Sequence, residues 1–99
     1  MKLYAIQGDI PIFKINKLPD GVIKKNTQIL IEGESTGNYH RLVDGDVYEL
    51  GDRLFIQTYQ PTIIDHPEHA EIPLEMPGVY EIKRQREYSG ENMTRVVID

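Results

Sequence analysis

The sequence predicts an all-β fold, a small barrel or two-sheet sandwich of about eight short, mostly antiparallel strands, forming a single domain over residues 1–99. Three observations carry this reading. No segment of helical length keeps apolar residues at i, i+3, i+4 and i+7. Short β-branched and aromatic runs recur throughout, each bounded by Gly, Pro, Asn or Asp. A chain of 99 residues buries roughly 60–70% of the surface its unfolded form exposes, enough for a core without crosslinks, and it has no cysteine to make one.

Taken in order, Leu3–Gln7 is a strand ended by Gly8-Asp9, and Ile12–Ile15 is a second strand entered through Pro11. Leu18-Pro19-Asp20-Gly21 has turn chemistry. Gln28–Glu32 is an apolar run short enough for a buried strand. Asp44-Gly45 and Gly51-Asp52 read as two-residue hairpin turns, which makes Tyr39–Val43, Asp46–Leu50 and Arg53–Tyr59 a three-stranded meander. That register sets Leu42 opposite Val47, Val47 opposite Ile56 and Tyr48 opposite Phe55. It also points His40 inward, opposite Glu49 and Leu54. Pro61, Pro67, Pro73 and Pro77 make Thr62–Met76 mostly loop, with a short strand around Ile63-Ile64. Val79–Tyr88 then alternates cleanly, and a turn at Ser89–Asn92 returns the chain along Thr94–Ile98.

Composition narrows the function classes. The missing cysteine excludes thiolate nucleophiles, zinc ribbons and iron–sulfur ligation, so a metal site is expected to use His, Asp and Glu. A net charge of −5 argues against nucleic acid as a partner, which needs a basic face to displace counterions. The start of the chain breaks at Gly8-Asp9, too soon for a signal-peptide core or a membrane span. The expected setting is cytoplasmic or virion-associated, with a protein partner or self-assembly and no membrane.

The only three histidines, His40, His66 and His69, fall in turn or strand-end segments. His66 and His69 flank Pro67 and can converge when that turn is tight; His40, arriving from a neighbouring strand, makes three imidazoles. Three neutral nitrogens with an open position suit a divalent transition metal such as zinc, with Glu68 as a further ligand. Asn38, Glu34, Glu49 and Asp65 are candidates to hold the ligating rings in place. The same residues also read as solvated loop groups plus a structural His40–Glu49 pair. Free of metal, the cluster would titrate near neutral pH.

Two other features carry less. Gly33–Gly37 superficially resembles a phosphate loop but lacks a following Lys and a helix, and nothing places a base and an oxyanion hole around Ser35 or Thr36, so no catalytic residue is assigned. Arg84 and Arg86, flanked by Tyr80 and Tyr88 and joined by Arg95 across the hairpin, could hold an anion or partner. An ordinary charged strand face, with Glu87 and Glu91 neutralising much of the charge, is the favoured reading.

A resemblance spans nearly the whole chain. Gln7-Gly8-Asp9, Gly33-Glu34-x-Thr36-Gly37-x-x-His40, His66-Pro67-Glu68-His69, Pro77-Gly78-x-Tyr80, Gln85-Arg86-Glu87-Tyr88 and Val97-x-Asp99 together resemble a family of small proteins of unknown function from bacteria and their phages. The resemblance implies no activity. It does imply that His40, His66 and His69 belong to one recurring constellation. In that family the position of Asn38 is often His, a departure that puts ligation from this strand in doubt. A likeness to cupins is one of architecture only, since no Glu follows His40 at the cupin spacing and Pro77–Tyr80 carries no histidine. The sequence therefore points to a non-catalytic binding or assembly module, such as a phage structural or decoration protein or a regulatory adaptor, with a histidine metal site. The alternative is a cupin-like metal-dependent enzyme or sensor using His40, His66 and His69.

Overall fold

Ten strands form two antiparallel sheets in the computed structural model, which describes residues 2–32 and 39–83. In chain order they are β1 (Lys2–Gln7), β2 (Ile10–Ile15), β3 (Ile23–Lys25), β4 (Ile29–Glu32), β5 (Tyr39–Leu42), β6 (Asp46–Leu50), β7 (Arg53–Thr58), β8 (Thr62–Asp65), β9 (Ile72–Leu74) and β10 (Gly78–Ile82). One sheet has the order β1-β2-β10-β7-β6-β3 and the other β4-β5-β8-β9. Neither closes into a barrel, so of the two architectures the pattern allowed, the molecule is the sandwich.

Alternation builds the core between the sheets. The six-stranded sheet turns Ala5, Ile10, Ile12, Val47, Ile56, Tyr80 and Ile82 inward, and the four-stranded sheet answers with Leu30, Leu42, Ile64, Ile72 and Leu74. These side chains are buried, and truncating a central one such as Leu42 or Ile64 to Ala should cost about 2–5 kcal/mol. A smaller apolar set, Phe13 and Phe55, is buried outside this cluster. Both flank Glu81 in register.

Two hairpins follow from their turn residues. Gln7 pairs with Ile10 around Gly8-Asp9, and Leu50 with Arg53 around Gly51-Asp52; in each the glycine has φ +61° and the following Asp stays at negative φ. Glycine at the first central position suits the two-residue turn whose twist matches the strands. The Val47–Ile56 and Tyr48–Phe55 pairs expected from the sequence are present.

The predicted β5–β6 hairpin is not. β5 pairs with β4 and β8, whereas β6 pairs with β7 and β3, so the chain changes sheets at Val43-Asp44-Gly45 instead of folding back. The Val43 amide donates to Ile63 O at 3.1 Å, which keeps the chain on the four-stranded sheet up to that point. Gly45 has φ +136°, and a Cβ there would stand 2.7 Å from Gln57 O and 3.0 Å from Leu42 Cδ2. The Asp-Gly pair therefore makes a tight corner, and Tyr59 and Gln60 tie it down by donating to Asp46 and Asp44.

Other boundaries also moved. β2 begins at Ile10, so Pro11 lies inside it and its carbonyl accepts from Lys83 N–H. β3 and β9 are three-residue strands the pattern did not mark. Pro73 is tolerated in β9 because that strand is a sheet edge. Of the predicted Val79–Tyr88 strand, β10 ends at Ile82 and Lys83 lies beyond it, while the remainder and the predicted Thr94–Ile98 return lie outside the described residues.

Candidate functional site

The site is a seam where the end of β1 meets β5 and the loop after β8. Along β5, His40 and Leu42 are buried while Arg41 is exposed, so alternation does turn His40 inward as its sequence position implied. Its partner is Gln7, the last residue of β1, which is fully buried. Gln7 Nε2 donates to Ile64 O at 3.0 Å and to Ala70 O at 2.9 Å. With both amide hydrogens used, Gln7 Oε1 is the acceptor, so His40 Nδ1, 2.8 Å away, carries the proton. Neutral His40 is thereby held in one tautomer, with its lone pair on Nε2.

The other two histidines complete a chain of rings. His40 and His66 have centroids 4.5 Å apart, and His66 and His69 4.6 Å, each pair tilted by nearly 50°. His66 Nδ1 accepts from Glu68 N–H at 3.0 Å, so neutral His66 carries its proton on Nε2. His69 lies against Gly8, where a Cβ would approach its Nε2 to 2.8 Å. The missing side chain at Gly8 leaves room for this ring.

Electrostatics favour the neutral forms of His40 and His66. Burial pushes the His40 imidazolium down to about 4, reinforced by charge on His66 and, more weakly, His69, while Asp9 pulls the other way. His66 is lowered first by burial and then by His69, against Glu68, Asp65 and Asp9.

The remaining candidates fall as follows. Glu68 sits on the exposed loop and supplies the backbone donor to His66. Asp65 pairs in register with Arg41, its Oδ2 3.5 Å from the guanidinium. Glu49 lies on β6 in the opposite sheet, in register with Leu54 and Ile23, with its carboxylate 3.9 Å from Lys25 Nζ. The expected His40–Glu49 neighbourhood fails because the β5–β6 hairpin does not form, and His40 takes Gln7 instead. Glu34, Asn38, Arg84, Arg86 and Arg95 lie outside the described residues. Sequence reasoning assigned no site role to Gln7, Gly8 or Asp9; the one signal was that this triplet accompanies the histidine motifs in the resemblance. Beside His66 opens a cleft of about 200 Å³ lined by Tyr39, Arg41, Asp65 and Pro67. Among the described residues no three His, Cys, Asp or Glu side chains have donor atoms converged to hold a metal as the rings stand.

Fold and site together define a two-sheet antiparallel sandwich with a cluster of three imidazoles in the seam between its sheets. Residues 6–85 match the family described as Domain of unknown function (DUF8820), and the chain belongs to it. The matched span includes Gln7 and all three histidines. No curated protein matches the chain, and no solved structure does.

Proposed function

We propose that this sandwich is a binding module whose His40, His66 and His69 take up one divalent transition metal, zinc being the best match to three neutral imidazoles. The observation that carries the reading is the ring chain anchored by Gln7. The amide fixes the His40 tautomer so that Nε2 is the free donor, the role that a hydrogen-bonded partner plays for a ligating histidine. Loading requires His66 to move, because its Nδ1 is engaged by Glu68 N–H and its Nε2 carries the proton. The half-exposed loop from His66 to Ala70 is where that adjustment falls.

A second reading, a metal-dependent enzyme or sensor, is favoured by the cleft at His66, where Arg41 could meet an anionic substrate group beside an open coordination position. The test is elemental analysis of untagged protein purified without chelator, with melting curves in added zinc. The expected result is about one metal per chain and a zinc-dependent rise in Tm, both lost in His66→Ala. Metal-free protein whose Tm ignores zinc would overturn the proposal.

A further inference from the structure

A large cavity among the described residues lies away from the histidines, along β1, β2 and β10. It measures about 450 Å³, within the range of small-molecule sites, against about 80 and 200 Å³ for two smaller clefts among the described residues. It is lined by Lys2, Leu3, Tyr4, Lys14, Met76 and Tyr80.

The sheet register explains this lining. Lys2 pairs with Lys14, Lys14 with Tyr80, and Tyr80 with Ile56, so the four residues form one row across β1, β2, β10 and β7. Ile56 and Tyr80 belong to the inter-sheet core, which makes the two lysines the outward continuation of a core-facing row. The β-bulge between Leu3 and Ala5 inserts Tyr4, whose ring meets Tyr80 edge-on at 5.4 Å. Tyr4 and Tyr80 donate their hydroxyls to Pro73 O and Met76 O, which holds the rings in place. Met76 is 69% exposed at the rim.

Directly opposed like charges on neighbouring strands repel, yet among the described residues neither lysine takes part in an ion pair and no carboxylate lines the cavity. Lys14 Nζ lies 5.1 Å from the Tyr80 ring centroid and donates weakly to Ile15 O at 3.4 Å, which leaves it hydrogens for a further acceptor.

We propose that this recess binds a small organic anion with a flat apolar ring, the ring lying against Tyr4 and Met76 and the anionic group bridging Lys2 and Lys14. The site is independent of the histidine seam. The test titrates ¹⁵N-labelled protein with naphthalene-2-sulfonate and with its uncharged analogue 2-naphthalenemethanol, following amide shifts. The sulfonate should give saturable shifts confined to residues 2–4, 14 and 76–80. Its affinity should fall about tenfold in Lys2→Gln/Lys14→Gln, and the alcohol should bind about tenfold more weakly than the sulfonate. His66→Ala should leave the affinity unchanged, and the single Lys2→Gln, at an exposed position, reports the same loss in smaller measure if the double variant misfolds. Equal affinity for both compounds, unchanged affinity in the lysine variants, or shifts without saturation would each overturn the assignment.

Discussion

Two buried polar arrangements in this sandwich do different jobs. Glu81, 2% exposed on β10, is gripped by Arg53 through two hydrogen bonds of 3.1 and 3.2 Å, with Lys83 Nζ at 3.8 Å. Arg53 lies over the Phe55 ring and Lys83 over that of Phe13. Everything in that arrangement belongs to one sheet or its immediate end. Gln7, in contrast, carries no charge and links three separate pieces: β1, the β5 histidine, and both ends of the segment from Ile64 to Ala70. The charged pair braces strands that register already aligns; the neutral amide fastens one sheet to the other.

That difference predicts an order of costs. Gln7→Leu removes both donors and the acceptor, stranding Ile64 O, Ala70 O and His40 Nδ1–H, and should destabilise the protein by about 3 kcal/mol in urea unfolding. Arg53→Met should cost less, about 1–2 kcal/mol, because the guanidinium is half exposed and Lys83 remains near the carboxylate. If Arg53→Met proves the costlier change, the view of Gln7 as the fastening between sheets is wrong.

Acid should separate the two regions as well. Unfolded His40 takes up its proton near 6.5, folded His40 only near 4, so between those values the unfolded state binds more protons. Its contribution is therefore complete above about pH 6.5 and is lost as pH falls towards 4, by at most about 3 kcal/mol. His66, also lowered, acts in the same direction. Urea titrations of chelator-treated protein from pH 7 to 4 should show this slope, and His40→Gln should flatten it. His66 keeps a smaller slope in that variant, and a slope that is undiminished by the substitution would place the acid sensitivity elsewhere.

Such contrasts were only partly legible in the sequence. Period-two alternation gave the all-β class, the β6–β7 register and the inward turn of His40, since each depends on neighbours close along the chain. The corner at Asp44-Gly45 was hidden because the same dipeptide serves a hairpin or a sheet change, and what decides is the close approach of Gln57 O, a residue far along the chain. That one ambiguity moved Glu49 away from His40. The alternation of Val79–Tyr88 did not mark Glu81 for burial, because its partner Arg53 lies 28 residues away. Gln7 was similarly silent, as nothing in a strand-ending Gln announces that a histidine 33 residues later will need an acceptor.

The smallest effect expected is also the cleanest comparison, because the molecule contains its own control. Gly8 and Gly51 occupy the same position in two equivalent hairpin turns, both at φ +61°. Alanine at either pays the cost of a left-handed backbone, about 1 kcal/mol. Around Gly51 nothing lies within 4 Å of the added Cβ, so Gly51→Ala should stop there. At Gly8 the Cβ meets His69 Nε2, and the ring must swing off the turn. If the histidines bind zinc as proposed, Gly8→Ala should therefore show a similar or slightly larger loss of stability together with weakened zinc uptake, and Gly51→Ala unchanged uptake. Equal zinc affinity in the two variants would mean that the seating of His69 on Gly8 does not matter to the metal, and would confine the ligand set to His40 and His66.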